Sequence, residues 1–227
     1  MTSLPALALV RHADYQQQAN TPSAWQPWPL SDLGWQQVQA GARMLTSLSQ
    51  ALALPIAPVM HCSTLLRAWQ TAQGLTQALG LPRAPVASDA LTERCVGAAA
   101  NLSLDNIARA IALDPRHPNL PKNWKSDPNF RLPVPGAESL ADAGQRVATH
   151  LHAIAEAQRD FHGIIVIVGH GAALRHSAVS LGVFERSTAM RLSMHHAQPV
   201  LLQWQQDRWQ HIAGEWKQRV EQHRDVD

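Results

Sequence analysis

The sequence predicts an α/β protein with a mostly parallel central sheet, and three observations carry that prediction. Ile164-Ile165-Val166-Ile167-Val168 is a run of five β-branched apolar residues, as a parallel strand covered on both faces requires. Leu7-Ala8-Leu9-Val10 is a second buried-strand run, and it stops abruptly at Arg11 and His12. Around these strands lie segments whose apolar residues recur at helical spacing. A chain of 227 residues with no linker-like stretch is expected to form one domain, 1–227, with room for a sizeable core.

After the first strand, residues 16–30 are polar and carry Pro22, Pro27 and Pro29 with Trp25 and Trp28, a loop long enough to fold over a site. Ser31-Asp32 caps a helix with an apolar stripe of Leu33, Val38, Met44, Leu45 and Leu48. Val59-Met60-His61 reads as a short strand, with Cys62-Ser63-Thr64 starting a helix that buries Leu65, Trp69, Ala72, Leu75 and Leu79. Gly80 and Pro82 end it. A weak strand at 85–87 leads through Leu91-Thr92-Glu93-Arg94 into an irregular excursion at about 98–137. That excursion holds a short helix capped by Ser103, then Pro115, Pro118, Pro121, Pro128, Pro133 and Pro135. Glu138 opens a helix with Leu140, Val147, Leu151 and Ile154 at helical spacing. The Ile164–Val168 strand runs into Gly169-His170-Gly171 and another helix. Residues 200–204 and 209–212 form a closing strand pair around Gln206-Asp207, and a polar tail at about 215–227 is expected as a solvated helix or frayed end.

Composition narrows the function. The formal charge is +2, from 19 basic and 17 acidic residues, with no Lys/Arg block or aromatic-basic stripe, so no nucleic-acid partner is expected. Two cysteines, Cys62 and Cys95, are too few for a disulfide scaffold and fit a reducing compartment. The N-terminus lacks a basic n-region and no apolar run reaches the roughly 20 residues of a membrane span. A cytoplasmic protein without a membrane partner is expected.

In open α/β sheets ligands bind beyond the carboxyl ends of strands, which is where Arg11-His12, Ser63 to Arg67 and His170-Gly171 fall. Each has an ordinary reading alone. Arg11 and His12 can be a solvated strand end, Arg67 a surface helix residue, His170 a turn residue between two glycines, and Glu93 one more exposed carboxylate.

Together they are distinctive. The segments LVRHAD (9–14), CSTLLRAWQTA (62–72), LTERCVG (91–97), PGAES (135–139) and VIVGHGAALR (166–175) closely resemble the histidine phosphatase superfamily, also called phosphoglycerate mutase-like. The resemblance runs from about residue 7 to 176. It implies a three-layer α/β/α sandwich and a catalytic set in which His12 becomes phosphorylated. Arg11, Arg67 and His170 would form the phosphate pocket, with Gly171 beside it. Glu93 would be the proton donor, and Ser63 matches the semi-invariant serine of the second motif. Gln18 stands where the family often has an asparagine, six residues after the nucleophile, as another phosphate contact, and with Ser63 and Gly171 it would complete the phosphate-binding set. Ala13 departs from the family's glycine, which would cost roughly 1 kcal/mol if that position needed positive φ. Ala137 likewise replaces the second glycine of PGGES.

These residue types suit phosphoryl transfer. Two guanidiniums can hold the equatorial oxygens bidentately, a protonated His170 would add a third cation, and the same charges keep His12 neutral. No metal or other cofactor is expected. There is no HExxH helix or zinc-spaced cysteine pair, and His195 and His196, adjacent on a strand, would face opposite ways. A P-loop is absent and His170 stands where a serine esterase needs its nucleophile. The reading is a metal-independent phosphomonoesterase using a phosphohistidine on His12. A 2,3-bisphosphoglycerate-dependent phosphoglycerate mutase and a protein serine/threonine phosphatase of the same superfamily are the alternatives. Only 41 residues (94–134) separate Glu93 from PGAES, short for a mutase, and with Ala13 this favours the phosphatase. Arg94, Arg109, Arg116, Lys122, Trp124, Lys125 and Arg131 give the excursion a cationic, partly aromatic character. That suits a small phosphorylated metabolite with an anionic or ring-bearing remainder, or equally an ordinary solvated loop. A phosphoprotein substrate stays open, and the oligomeric state is not readable.

Overall fold

The computed structural model describes residues 4–22, 25–117 and 119–219. The two runs that announced the fold, β1 (Ala6–Arg11) and β4 (Ile164–Gly169), lie side by side in parallel at its centre. The sheet continues from β4 to β2 (His61–Ser63) and β3 (Val86–Ser88), both parallel. On the other side, β6 (Pro199–Gln205) pairs antiparallel with β1, and β7 (Arg208–Ala213) closes the order β3-β2-β4-β1-β6-β7. The β6–β7 turn is the expected one: Gln206 and Asp207 take φ of 51° and 58°, as a two-residue hairpin twisting with its strands demands.

Alternation along β1 divides the core. Ala6, Ala8 and Val10 face α1 (Asp32–Leu52) and α2 (Leu66–Ala78), while Leu7 and Leu9 face α4 (Leu140–Ala157) and α5 (Gly171–Ser180). Two helical layers thus cover both faces of the central strands, which explains why β1 is apolar up to Arg11 and β4 from Ile164 to Val168. Ser31 caps α1 as expected, and α4 begins at Leu140 and not at Glu138, capped by Ser139 in a reciprocal box with Asp142.

Three readings are corrected. The helix faces are shifted in part: Val38, Leu45, Ala72 and Leu75 are buried as expected, but Leu33, Met44 and Trp69 are exposed, and small residues take buried positions where the chain comes close, Gly74 against Val38 of α1 and Gly41 against Ala197. The second strand lies two residues later than expected, so Cys62 and Ser63 end β2 and do not begin a helix. The tail does not fray at its start. Lys217–Gln218 form β8, antiparallel to β5 (Leu192–Ser193), and Trp216 packs against the α4–α5 core, so 215–219 follows the body; 220–227 lies outside the described residues.

The excursion has its own small core. Val96, Ala99, Trp124, Leu132 and Ala137 gather on Ile107 of α3 (Leu104–Ala112), and a Val96–Ala137 bridge closes the base. Leu104 N–H donates to Asn20 O at 2.9 Å, so the excursion meets the 16–30 loop above the strand ends. No helix among the described residues is long and apolar enough to cross a membrane.

Candidate active site

The carboxyl ends of β1, β2 and β4 deliver three side chains to one point. Arg11 is in register with Gly169, so His12 and His170 leave the sheet together, their ring centroids 5.1 Å apart. Ser63 ends β2 on the far side of β4, and its Oγ lies 2.8 Å from His170 Nε2. Arg67, in the first turn of α2 and fully buried, joins the group. Its Nε donates to His12 Nε2 at 3.2 Å, its Nη1 to Gln26 O at 3.1 Å, and its Nη2 lies 3.1 Å from His170 Nδ1.

A guanidinium only donates and a carbonyl only accepts, so this network assigns the tautomers. His12 Nδ1 lies 2.8 Å from Ala13 O and must carry the proton, which leaves the lone pair on Nε2. His170 accepts from Arg67 at Nδ1 and donates from Nε2 to Ser63, whose Oγ also accepts Leu65 N–H at 3.2 Å. His170 is therefore a neutral acceptor here, and not the third cation expected. Burial holds both rings well below the ordinary histidine value, with Arg67 and then His170, Arg11 and His196 adding to it at His12, and Arg67, Arg11 and Arg146 adding to it at His170.

This depression has a measurable sign. The unfolded chain takes up protons below pH 6.5 that the native His12 and His170 refuse, so stability is fully present above 6.5 and falls as the pH drops. His176, pushed down to about 3 by burial and by Arg175, Arg219, Arg94 and Arg186, adds to the effect over that range. Each group contributes about 1.4 kcal/mol per pH unit in its window. Denaturant titrations between pH 7.5 and 5 should show the loss beginning near 6.5. A stability that is flat across that range contradicts the assigned neutral rings.

Glu93 and Arg11 flank the start of α5. Glu93 Oε1 accepts N–H bonds from Arg94 (2.8 Å) and Ala173 (3.0 Å), and Oε2 accepts one from Ala172 (3.1 Å), so the carboxylate sits on a helix N-terminus. Arg11 lies across Gly171, where an added Cβ would stand 3.2 Å from both Cδ and Nε of the guanidinium arm. Gly171→Ala should therefore displace Arg11 and lower kcat/KM by roughly tenfold with little loss of stability, read from steady-state kinetics beside a melting curve. Wild-type kinetics would show that the arm has room.

The predicted residues separate cleanly. His12, Arg67, His170 and Ser63 are directly bonded, and Arg11, Gly171 and Glu93 adjoin them. Gln18 does not join them. It is exposed, with its main-chain N–H on Gln26 Oε1 (2.7 Å) and no side-chain hydrogen bond to the cluster among the described residues. Ala13 is absent from the positive-φ residues, so the glycine of the family pattern is not needed and alanine carries no strain. Of the cationic set, Arg116 and Arg131 pair on the surface with Asp114 and Asp142. Trp124 belongs to the excursion core, and Arg94 is buried with its guanidinium 5.5 Å over the Trp124 ring.

Several contributors escaped sequence reasoning. The buried Gln26 amide bonds Gln18, Thr21 and Pro22 main-chain atoms, holding the loop whose carbonyl receives Arg67. Thr71 accepts Ala13 N–H and donates to Arg67 O, joining the loop after His12 to α2. Tyr15 stands edge-on to His12, with Arg67 4.8 Å over its ring. His196 lies in the β5–β6 connection, not on a strand as expected, with Nδ1 2.7 Å from His12 O. Thr71 was signalled by its place in the CSTLLRAWQTA segment; the others had no local signal. Among the described residues no group of three His, Cys, Asp or Glu side chains is placed to hold a metal ion. Cys62 is fully buried, which pushes its thiol up to about 12.

A sequence model of the histidine phosphatase superfamily (branch 1) matches residues 7–216. The chain belongs to that superfamily. No curated protein matches it in sequence. Solved structures share the histidine phosphatase fold at low identity. A mycobacterial glucosyl-3-phosphoglycerate phosphatase is 22% identical with a TM-score of 0.69, covering 92% of this chain and 97% of the other. A putative alpha-ribazole-5'-P phosphatase from Escherichia coli is 21% identical with a TM-score of 0.68, covering 95% and 96%. A phosphoserine phosphatase mutant from Entamoeba histolytica, in complex with phosphoserine, is 17% identical with a TM-score of 0.68, covering 93% and 96%.

Proposed function

We propose that this histidine phosphatase is a metal-independent phosphomonoesterase that acts through a phosphohistidine on His12, with Glu93 as general acid and base. The observation that supports it most is the His12 tautomer. Ala13 O holds the Nδ1 proton, so the Nε2 lone pair points at Arg67, the guanidinium suited to hold the phosphoryl oxygens. Arg67 in the first turn of α2 is adverse to the helix dipole, a cost that a bound phosphate dianion offsets.

Nε2 attacks phosphorus as the P–O ester bond breaks, and the electron pair leaves on the ester oxygen, which takes the Glu93 proton. Oε1 of Glu93 already accepts two N–H bonds and Oε2 only one, so Oε2 is the oxygen with a lone pair for that proton. Glu93, now a carboxylate, takes a proton from water. The water oxygen bonds phosphorus, the P–N bond breaks, and inorganic phosphate leaves with His12 neutral again. Arg11 and Arg67 stabilise the charge spread over the equatorial oxygens, and Ser63 orients His170 in the pocket.

A small phosphorylated metabolite is the substrate this reading favours. Arg94, buried next to Glu93, suits an anionic remainder, and the glucosyl-phosphoglycerate and phosphoserine named for the structural relatives carry one. The reaction would run in the cytoplasm, where the free thiols Cys62 and Cys95 stay reduced. Phosphate release from a panel of phosphomonoesters tests the class, and a strict requirement for 2,3-bisphosphoglycerate would make the protein a mutase instead. Glu93→Gln should lower kcat about 10²-fold on alkyl esters and far less on p-nitrophenyl phosphate, whose leaving group needs little protonation. Equal losses on both would remove Glu93 as the proton donor.

A further inference from the structure

One half-buried ion pair outside the phosphate cluster is committed to the loop that carries Glu93. Arg146, on α4, meets Glu138 of the PGAES segment through two parallel bonds of 2.8 and 2.7 Å. The same guanidinium donates Nη1 to the carbonyls of Ala90 (3.0 Å), Thr92 (3.1 Å) and Asp89 (3.4 Å), and Nη2 to that of Glu93 (3.5 Å). Glu138 grips the other side of Glu93: its Oε2 accepts Cys95 N–H at 2.9 Å, and its own N–H donates to Cys95 O at 2.7 Å. Burial pushes the Glu138 carboxyl up, but the Arg146 and Cys95 bonds outweigh it and hold the group below its ordinary value.

An exposed or half-exposed ion pair contributes little stability by itself. This one is distinguished by where its bonds end: four of the six from Arg146 reach main-chain carbonyls between residues 89 and 93. The helix that carries it is fixed to the helix that receives the Glu93 carboxylate. Gly144 lies so close to α5 that an added Cβ would stand 2.6 Å from the carbonyl carbon of His176. The Glu93 side chain therefore spans two anchored points, a main chain clamped to α4 by Arg146 and Glu138, and an oxygen pair on the α5 amides of Ala172 and Ala173.

We propose that Arg146, with Glu138, is a positioning residue that holds Glu93 at the distance and angle its proton transfers require. This rests on the reading of Glu93 as the proton donor. A planar fork can bind a carboxylate and several carbonyls at once, whereas a lysine ammonium can keep the ion pair but not the span. Misplacing a catalytic group by about 1 Å costs up to about 10²-fold.

The test is leaving-group dependence. Arg146→Gln, Arg146→Lys and Glu93→Gln are compared on p-nitrophenyl phosphate and on the most active alkyl phosphate of the panel, with melting curves for each. Arg146→Gln should lower kcat on the alkyl ester by roughly 10- to 30-fold, with KM nearly unchanged and p-nitrophenyl phosphate turnover within about threefold of wild type. Arg146→Lys should show the same selective loss, smaller, at near wild-type melting temperature. Equal losses on the two substrates, tracking the melting temperature, would overturn the proposal and leave Arg146 a purely structural ion pair. If Glu93→Gln is selective and neither Arg146 variant is, the positioning role fails while the role of Glu93 stands. If Glu93→Gln itself is not selective, both fail.

Discussion

His12→Ala should bring turnover of p-nitrophenyl phosphate to background, a loss of about 10⁴-fold or more, in a protein that melts close to wild type. The reasoning runs through one lone pair. Residue 12 is only 2% exposed, and the structure spends a carbonyl bond on its Nδ1 and a guanidinium on its Nε2. That arrangement is a poor use of a core position unless Nε2 must be kept unprotonated and aimed. An alanine removes the only such nitrogen on β1's end while leaving the β1–β4 register and the His12 main-chain bond to Gly169 intact. Activity within tenfold of wild type would show that another residue makes the first bond to phosphorus.

Arg67→Lys should be the next most damaging change, lowering kcat/KM by about 10³-fold. The guanidinium bridges His12, His170 and the Gln26 carbonyl from three different nitrogens. One ammonium cannot satisfy three acceptors in those directions, nor bind phosphate oxygens bidentately. The change also leaves buried acceptors without a donor, costing about 1–3 kcal/mol of stability, so the kinetic loss is to be normalised by the folded fraction. Because His12 and His170 lose the guanidinium N–H bonds that occupy their unprotonated nitrogens, the acid limb of the pH–rate profile should also move upward. A lysine variant with near wild-type kcat/KM and an unmoved acid limb would mean that charge alone at this position suffices.

How much of this was legible depends on the range of each interaction. β1 and β4 declare themselves because a strand buried on both faces needs apolar residues at consecutive positions, a wholly local signal. The histidines and Arg67 are readable because they sit at strand ends and helix starts within short motifs. Helix faces were misjudged where small residues do the packing: Trp69 attracts a core assignment by its size, yet Ala68 and Gly74 face α1 and Trp69 is 41% exposed. Gln26, His196 and Arg146 were invisible for a different reason. Gln26 offers its own main-chain carbonyl to the distant Arg67 side chain, while His196 and Arg146 act on main-chain carbonyls far along the chain, at His12 and at residues 89–93, and a main-chain carbonyl has no identity in a sequence. The condition attached to Ala13 could not be resolved from sequence for the converse reason: only the backbone dihedral reveals that the position is not left-handed.

The most direct measurement is to trap the phosphoenzyme. The protein is mixed with a labelled phosphomonoester, quenched in alkali within the first turnovers, and mapped by peptide sequencing and phosphorus NMR. The account predicts one acid-labile phosphate per chain, on Nε2 of His12, absent from the His12→Ala variant. Phosphate on a hydroxyl, on Nδ1 or on His170 would contradict it, as would steady turnover with no labelled protein at any time.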